Sequence, residues 1–442
     1  MKRLIENKLL IWKNQNSRKP LLLNGIRQVG KTWSVRDFGE KYFDNFVYVN
    51  FDIESNYSDV FIKSKDPKKI LFELSILLEK KIDPSNTLIF FDEIQECNEA
   101  LNSLKYFNED SEDYFIIGAG SYLGIALSKG DSFPVGNVEL IELKPMIFKE
   151  YLMALDQNML VDYIESISSI EAIPESILNK LSSYLLEYFV VGGMPEVVKT
   201  WLEFKDVEKI SSIQNNIINA YFRDFSKYPP AIMVPKIIGI WNSIVSQLSR
   251  ENRKFKYSDV KKSARSREYE NALQWLICGN YLIKTTMVNK YKIPLKSYEV
   301  ENRFKIYMPD IGLLRKMADY PASSLMNLTQ NENIPFKGAM TENFVLQELT
   351  ATYPENIYYW ANDNYEIDFT TQFDDIVLPI EVKAGQNVRS KSMTKVLDKL
   401  DMGIRFSMKN LAYDGKILNI PLALISEFPR LFKYMVLAQK TE

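Results

Sequence analysis

The spacing of two glycines near the start of the chain is the feature that most constrains the fold. In LLLNGIRQVGKTWSV, residues 21–35, a short apolar run is followed by Gly25 and then by Gly30, Lys31 and Thr32. This is the complete GxxxxGK[ST] pattern, in which backbone N–H groups of a loop between a strand and a helix surround phosphate oxygens. The pattern predicts a buried strand, a phosphate-binding loop and a helix in that order.

The residues of this loop have expected roles in nucleotide binding. Lys31 is expected to reach the β- and γ-phosphates, and the hydroxyl of Thr32 is expected to bind Mg²⁺. The other positions of the expected nucleotide-contact set are Gly25, Gln28, Val29, Gly30 and Trp33. A tight surface turn would also explain the glycines alone, so the assignment depends on a second motif.

A buried strand that ends in acids supplies the second motif. TLIFFDEIQEC, residues 87–97, places four apolar residues before Asp92 and Glu93. Asp92 is expected to hold the Mg²⁺ shell, and Glu93 to polarise the attacking water as a general base. A further strand, YFIIGAGS, ends at Ser121, a polar tip suited to sensing the γ-phosphate. The segment VNKYK near Asn289 lacks the aspartate of a guanine-binding Asn-Lys-x-Asp motif, which favours ATP over GTP.

Alternating strand-like and helical segments up to about Leu143 predict a three-layer α/β domain with a parallel sheet. After Pro145 amphipathic helices predict a lid, in which Arg223 is either an arginine finger or a solvated surface residue.

The length of 442 residues exceeds one ordinary domain. The predicted multidomain division is 1–145 for the P-loop core, 146–232 for the lid, 233–322 for a winged helix-turn-helix and 333–442 for a C-terminal α/β domain, with a polar linker at 323–332.

The composition excludes several chemistries and indicates a compartment. There is no histidine, so serine–histidine triads, histidine–metal nucleases and histidine bases cannot be built from this chain alone. Cys97 and Cys278 lie far apart without CxxC spacing, which argues for a reducing compartment and against structural zinc. The N-terminal segment lacks a signal-peptide pattern, and no apolar run approaches the roughly 18 residues of a membrane span. We therefore expect a cytoplasmic protein without a membrane partner.

Two strand-like segments after helices, YLIKTTMV and NRFKIYMPD, predict the winged helix-turn-helix. The net charge of -2 gives no sign that the whole chain binds nucleic acid. Residues 250–268, however, contain eight basic and three acidic residues. This local excess predicts contact with DNA phosphates, and packing of a solvated face against another domain is the alternative. The bases are Arg250, Arg253, Lys254, Lys256, Lys261, Lys262, Arg265 and Arg267.

Charged residues also interrupt two strand-like runs in the C-terminal stretch NYEIDFTTQFDDIVLPIEVKAG, residues 364–385. If the runs pair as a hairpin across QFDD, Asp368 lies beside Glu381 and Lys383, which share one face because residues two apart in a strand point the same way. Two carboxylates and a lysine suit Mg²⁺ or Mn²⁺ chemistry, with Asp368 and Glu381 as ligands and Lys383 serving phosphodiester hydrolysis.

A helix upstream adds a fourth charged residue to this set. In KGAMTENFVLQELTATY, Glu342 stands three, four and seven residues before Val345, Leu346 and Leu349, so it lies on the apolar stripe and needs a partner. Glu342 is therefore a further candidate metal ligand. A salt-bridged structural cluster explains the same residues equally well.

The motifs together resemble prokaryotic P-loop ATPases of the AAA+ superfamily that carry a C-terminal domain of unknown function with a PD-(D/E)XK nuclease-like core. The resemblance runs through GIRQVGKT, IFFDEIQEC, GGMPEVV, SRENRKFKYSDVKKSARSREYENALQWL, FKIYMPDIGLL and the YEIDF and IEVKAG pair. It implies an ATP-binding module, a winged helix and a nuclease-like domain. Asn137 departs from the pattern, because many relatives are expected to have a basic residue there.

Three functions remain open at this point. The leading hypothesis is a Mg²⁺- and ATP-dependent ATPase whose cycle governs a DNA-directed, metal-dependent nuclease domain. The second is an ATP-driven switch whose C-terminal domain only binds nucleic acid or a protein. The third is ATP-driven assembly of a homo-oligomer without hydrolysis.

Overall fold

The computed structural model describes residues 1–53, 56–110, 113–121, 123–124, 136–250, 253–326, 335–353, 355–362, 364–385 and 390–439. The chain forms two compact units. The N-terminal unit comprises Met1–Lys144 and Trp275–Tyr281, and the C-terminal unit comprises Pro145–Gln274 and Leu282–Glu442. Within the described ranges, no helix combines the length and the apolar character that crossing a membrane requires.

A parallel sheet of five strands forms the centre of the N-terminal unit, in the order β2-β3-β4-β1-β5. Its strands are β1 (Leu21–Asn24), β2 (Asn45–Asn50), β3 (Thr87–Asp92), β4 (Phe115–Gly120) and β5 (Glu139–Glu142). The helices of this unit are α1 (Ile5–Lys13), α2 (Lys31–Tyr42), α3 (Asn56–Lys63), α4 (Pro67–Leu77) and α5 (Asn98–Asp110). The parallel α/β sheet predicted from the sequence is confirmed.

Helices cover both faces of this sheet because successive strand residues point to opposite sides. On one face, Val49 and Phe91 belong to a buried cluster with Phe61, Leu74 and Leu104 of α3, α4 and α5. On the other face, a Cβ at Gly39 of α2 would lie 2.5 Å from the Phe46 ring, and Arg36 of α2 lies over the Tyr48 ring at 4.2 Å. The sheet is therefore the middle of three layers.

Helices dominate the first part of the C-terminal unit, as expected after Pro145. They are α6 (Phe148–Ala154), α7 (Asn158–Ser166), α8 (Glu175–Val191), α9 (Pro195–Phe204), α10 (Val207–Lys227), α11 (Val234–Leu248), α12 (Tyr257–Val260) and α13 (Ser266–Cys278), whose last residues belong to the N-terminal unit. Later helices are α14 (Ile311–Met317), α15 (Ala322–Met326), α16 (Pro335–Thr352), α17 (Lys391–Val396) and α18 (Phe428–Gln439).

An eight-stranded mixed sheet forms the rest of the C-terminal unit, in the order β12-β13-β11-β10-β9-β8-β6-β7. Its strands are β6 (Ile283–Val288), β7 (Glu299–Tyr307), β8 (Tyr358–Ala361), β9 (Glu366–Phe373), β10 (Ile376–Lys383), β11 (Gly403–Ser407), β12 (Ala412–Tyr413) and β13 (Ile417–Pro421). Strands β10, β11 and β13 run parallel, so their carboxyl ends meet at one edge.

The hairpin of β6 and β7, which the sequence analysis assigned to the wing of a winged helix, is part of this larger sheet. β6 pairs in parallel with β8 through Met287 opposite Tyr359 and Val288 opposite Trp360. All four side chains are buried, so an apolar surface joins the hairpin to the later strands. The expected linker at 323–332 lies outside the described residues beyond Met326, and the predicted domain boundaries remain predictions.

The hairpin predicted between residues 364 and 385 is confirmed. β9 and β10 pair antiparallel around Asp374 and Asp375, with Ile376 opposite Phe373 and Ile380 opposite Phe369. This register places Glu381 beside Asp368, as the spacing of the charged residues predicted.

One buried carboxyl group in the C-terminal unit has an unusual proton affinity. The Glu348 side chain on α16 accepts a hydrogen bond from the backbone N–H of Phe148 at 2.9 Å. Burial raises the pKa of Glu348 to about 8, and the nearby charge of Glu150 acts in the same direction. Glu348 therefore holds a proton in the folded chain at pH values at which the unfolded chain has lost it.

We predict that Glu348→Gln makes the stability of the protein less sensitive to pH. Between its ordinary pKa of 4.5 and its folded pKa of about 8, only the folded state binds the proton, so wild-type stability falls as pH rises through that window. Urea unfolding at about pH 5 and about pH 8 should show a loss at least about 1 kcal/mol larger in wild type than in Glu348→Gln. Glu203→Gln, at an exposed position, is the control. Equal losses in wild type and Glu348→Gln would contradict the prediction.

Candidate functional site

Three strand ends meet at the carboxyl edge of the N-terminal sheet. β4 lies between β1 and β3, and all three run parallel. The loop after β1 leads into α2, Ser121 follows β4, and Asp92 ends β3. The sheet thus brings together residues that are up to 90 positions apart in the chain.

The loop between β1 and α2 has the backbone conformation that its glycines predicted. Gly30 is the residue before α2 and has φ 96°, a left-handed conformation that costs glycine little. The preceding Val29 is fully buried, and its carbonyl accepts a hydrogen bond from Arg3 at 3.1 Å. Gln28 lies in the same loop with φ 66°, and Trp33 in the first turn of α2 is 45% exposed. The loop and the N-terminus of α2 therefore form a concave stretch of backbone suited to phosphate, beside the exposed indole of Trp33.

The ammonium group of Lys31 links the loop to the neighbouring strand. Lys31 Nζ donates to Gly25 O at 2.8 Å, to Ile26 O at 3.3 Å and to Ser121 Oγ at 2.9 Å. Burial lowers the pKa of Lys31 to about 8, and the charges of Glu93 and Asp92 oppose this shift. A buried cation of this kind favours an anionic ligand at the loop.

Thr32 and Asp92 form a second pair of side chains from α2 and β3. Thr32 Oγ1 donates to Asp92 Oδ2 at 2.8 Å. Burial raises the pKa of Asp92, which is 3% exposed, and the hydroxyl of Thr32 partly offsets the shift. Hydroxyl and carboxylate oxygens are the donors that Mg²⁺ prefers.

A tyrosine that no sequence motif singled out also contacts Asp92. Tyr48 OH donates to Asp92 Oδ2 at 3.0 Å, and Asn50 Nδ2 donates to Tyr48 OH at 2.9 Å. Asn50 ends β2 directly opposite Asp92 in the parallel register. Polar residues at the end of the FVYVN run were the available signal, but only the strand order shows that β2 borders β3.

The expected general base lies immediately after Asp92. Glu93 has φ 49°, a left-handed conformation that is uncommon outside glycine. Its Oε2 accepts a hydrogen bond from Gln95 Nε2 at 2.7 Å. The turn therefore determines the direction in which the Glu93 side chain leaves the backbone, and Gln95 contacts its carboxylate.

The residues at this edge of the N-terminal sheet are chemically suited to a magnesium-bound nucleotide. The loop and Lys31 supply donors for phosphate oxygens, and Thr32 and Asp92 supply adjacent oxygen donors for Mg²⁺. The sequence predicted each of these residues, and the sheet brings Ser121 next to Lys31.

The charged residues of the C-terminal unit form a different kind of cluster. Glu342 on α16 is buried, and its carboxylate pairs with Arg253 and with Lys305 Nζ at 3.1 Å and accepts a hydrogen bond from Tyr307 OH. Lys305 is also buried and forms a second ion pair with Glu366 at 2.6 Å. Burial lowers the pKa of Lys305, and the charges of Glu366 and Asp368 oppose that shift. The partner that Glu342 needed is thus a set of protein cations.

The remaining candidate ligands also have partners. Asp368 Oδ2 accepts a hydrogen bond from the backbone N–H of Val382 at 2.8 Å. Glu381 forms ion pairs with Lys383 at 3.0 Å and with Arg405 at 3.9 Å. In the part of the chain that the structure describes, no three Asp, Glu, Cys or His side chains are arranged to hold a metal ion. At Glu342, Arg253 and Lys305 already compensate the charge that a metal ion would otherwise compensate.

The other sequence-predicted positions are exposed or contact polar and acidic side chains of the protein. Arg223 on α10 is exposed, and Asn137 accepts a hydrogen bond from Asn108 Nδ2 at 2.9 Å. Within the basic segment, Arg250 pairs with Asp259, and Lys254 lies 3.9 Å from Glu366. The remaining bases of the segment are exposed: Lys256, Lys261, Lys262, Arg265 and Arg267.

Comparison with known proteins agrees with this geometry. Residues 17–152 match a family model described as an AAA domain. The match shows an AAA-type P-loop ATPase domain, most of which lies in the N-terminal unit. Residues 182–324 and 337–424 match two models described as domains of unknown function, DUF8612 and DUF4143.

Three known proteins align with most of this chain, at sequence identities of 27% or lower. The chain is 27% identical to the uncharacterised protein MJ1544 of Methanocaldococcus jannaschii over 358 residues, which cover 79% of this chain and 71% of that protein. The Walker-type ATPase PABY2304 of Pyrococcus abyssi is 14% identical with a TM-score of 0.44, covering 71% of this chain and 94% of that chain. The Aeropyrum pernix ORC1 protein, solved in complex with DNA, is 10% identical with a TM-score of 0.30, covering 72% and 91% respectively.

We predict that Glu342 and Lys305 depend on each other for stability. Glu342→Gln leaves Lys305 buried with less compensating charge and should cost about 3 kcal/mol of unfolding free energy. Lys305→Met should cost less in the Glu342→Gln background than in wild type, a coupling that chemical denaturation of the four proteins in a double-mutant cycle measures. Glu366→Gln, at a more exposed position, should cost less than Glu342→Gln. Strictly additive losses would contradict the cluster as described.

Proposed function

We propose that the protein is an ATPase that binds Mg²⁺-ATP at the carboxyl edge of the N-terminal sheet and hydrolyses it. One observation carries the proposal: consecutive residues at the start of α2 contact the ends of two different strands. Lys31 contacts Ser121 after β4, and Thr32 contacts Asp92 at the end of β3. A helix start that joins cation, hydroxyl and carboxylate in this way supports binding of a metal–polyphosphate.

Each side chain has a distinct task in this proposal. Lys31 neutralises negative charge on the β- and γ-phosphates, and Ser121 holds its ammonium group in place. Thr32 and Asp92 would hold Mg²⁺, and the ion would supply positive charge beside the phosphate oxygens. Glu93 accepts a proton from the attacking water. Trp33 reports binding because its exposed indole lies in the first turn of the helix that bears Lys31.

We predict that Lys31→Ala lowers ATP affinity about 10- to 100-fold, because the variant lacks the charged donor to the phosphates. Titration of wild type with Mg²⁺-ATP should change the intrinsic tryptophan emission, and Trp33→Phe should remove most of that change. Lys63→Ala, an exposed lysine of α3, is the matched control and should bind as wild type. Wild-type affinity in Lys31→Ala would refute the assignment of this loop.

For the C-terminal unit we propose nucleic-acid binding in preference to metal-dependent cleavage. Four exposed bases lie within seven residues around the turn from α12 to α13, and among the described acids none forms an ion pair with them: Lys261, Lys262, Arg265 and Arg267. Exposed bases at this density suit contact with a phosphate backbone, since each contact releases counterions.

The nuclease hypothesis requires a rearrangement that the binding hypothesis does not. DNA-directed cleavage with Mg²⁺ or Mn²⁺ at Glu342, Asp368 and Glu381 would need Arg253 and Lys305 to leave Glu342. Each departure would uncover buried charge, which is costly. Assembly into a homo-oligomer remains a prediction from the sequence alone.

We predict that the double variant Lys261→Ala, Lys262→Ala binds labelled DNA or RNA more weakly and with a shallower salt dependence. Two lost phosphate contacts should reduce the slope of log K against log salt by about 2. The double variant Lys68→Ala, Lys69→Ala removes an adjacent exposed lysine pair of α4 and serves as the control. Fluorescence anisotropy over a salt series measures both.

Two outcomes would contradict the binding role. Identical affinities and slopes for the two double variants would remove the basic turn from the interface. Cleavage of the labelled strands with Mg²⁺ or Mn²⁺ that disappears in Lys383→Ala would restore the nuclease hypothesis.

A further inference from the structure

A side chain outside the expected nucleotide site contacts the expected general base. The short 3-10 turn Ile94–Glu96 follows β3, and Gln95 in this turn donates from Nε2 to Glu93 Oε2 at 2.7 Å. Because an ionised carboxylate only accepts hydrogen bonds, the nitrogen of the amide must face Glu93. The orientation of the amide is therefore set by its chemistry.

The other end of the same amide lies against β4. Gln95 Oε1 is buried, and no hydrogen bond to it is present among the described residues. A Cβ at Gly120 would lie 1.9 Å from this oxygen, so only glycine at the end of β4 admits the amide in its present position. Gly120 directly precedes Ser121, the residue that holds Lys31. Gln95 thus spans the gap between the base and the strand end of the phosphate site.

The backbone around Gln95 is independently fixed. Glu96 N–H donates to Glu93 O at 2.9 Å, and Cys97 N–H donates to Ile94 O at 3.1 Å. Ile94 is fully buried in the core cluster beneath the sheet edge. The turn therefore does not need the Gln95 side chain to form, and the side chain is available to orient Glu93.

We propose that Gln95 is a positioning residue for ATP hydrolysis, an inference that rests on the function proposed above. Its amide N–H holds the Glu93 carboxylate in one orientation, in which a carboxylate oxygen accepts the proton of the attacking water. The oxygen of that water bonds to the γ-phosphorus as the bond to the ADP oxygen breaks. Gln95 itself gains and loses no atom.

Two substitutions remove the donor in different ways. Gln95→Met keeps the length of the side chain and removes the donor, so kcat should fall about tenfold or more while KM and ATP affinity stay at the wild-type values. Gln95→Glu keeps the size of the side chain but places a carboxylate that only accepts hydrogen bonds beside Glu93, so kcat should fall at least as far as in Gln95→Met.

The experiment measures phosphate release over a series of ATP concentrations, ATP affinity from tryptophan emission, and the thermal unfolding midpoint, for wild type and both variants. Gln15→Met, a partly buried glutamine after α1, is the matched control and should match wild type in kcat. A lower kcat in Gln95→Met with unchanged affinity and midpoint, together with a lower kcat in Gln95→Glu, supports the proposal.

Other results overturn it in distinguishable ways. Wild-type kcat in Gln95→Met or in Gln95→Glu refutes the positioning role and leaves ATP hydrolysis standing. Parallel loss of kcat, affinity and thermal midpoint in Gln95→Met shows a structural role instead. No phosphate release by wild type refutes the ATPase and this inference together.

Discussion

The N-terminal unit depends on parallel pairing that places β4 between β1 and β3. Because the three strands run the same way, the loop that contains Lys31, the tip at Ser121 and the carboxylate of Asp92 all emerge at one edge. Lys31 and Thr32 then connect α2 to both neighbouring strand ends. A change of strand order would separate these groups without altering any of them, so the site is a property of the sheet.

Buried charge is handled differently in the two units. Lys31 and Asp92 are buried at the phosphate loop, where a bound nucleotide would supply negative charge near Lys31 and a metal ion would supply positive charge near Asp92. Glu342 and Lys305 are buried with each other, and Arg253, Glu366 and a tyrosine hydroxyl complete the compensation within the chain. The first arrangement favours a ligand, whereas the second is already neutralised and favours a fixed structure.

Local sequence patterns predicted what depends on local geometry. The phosphate loop, the acid-ended strand, the β9–β10 hairpin and the burial of Glu342 follow from spacings of a few residues. Partners that depend on long-range pairing were not predictable. Arg253 and Lys305 reach Glu342 from segments at least 37 residues away, and β6 meets β8 across some 70 residues. A charged residue shows that it needs a partner, but its sequence neighbourhood does not say whether the partner is a metal ion or a base.

We propose that ATP is hydrolysed at the carboxyl edge of the N-terminal sheet with Glu93 as the base. Phosphate release from ATP labelled at the γ-position tests this proposal, comparing wild type with Glu93→Gln under conditions in which both are saturated with Mg²⁺-ATP. We expect the variant to bind ATP as wild type does and to lose about 100-fold or more of the turnover. Equal turnover in the two proteins would refute the role of Glu93.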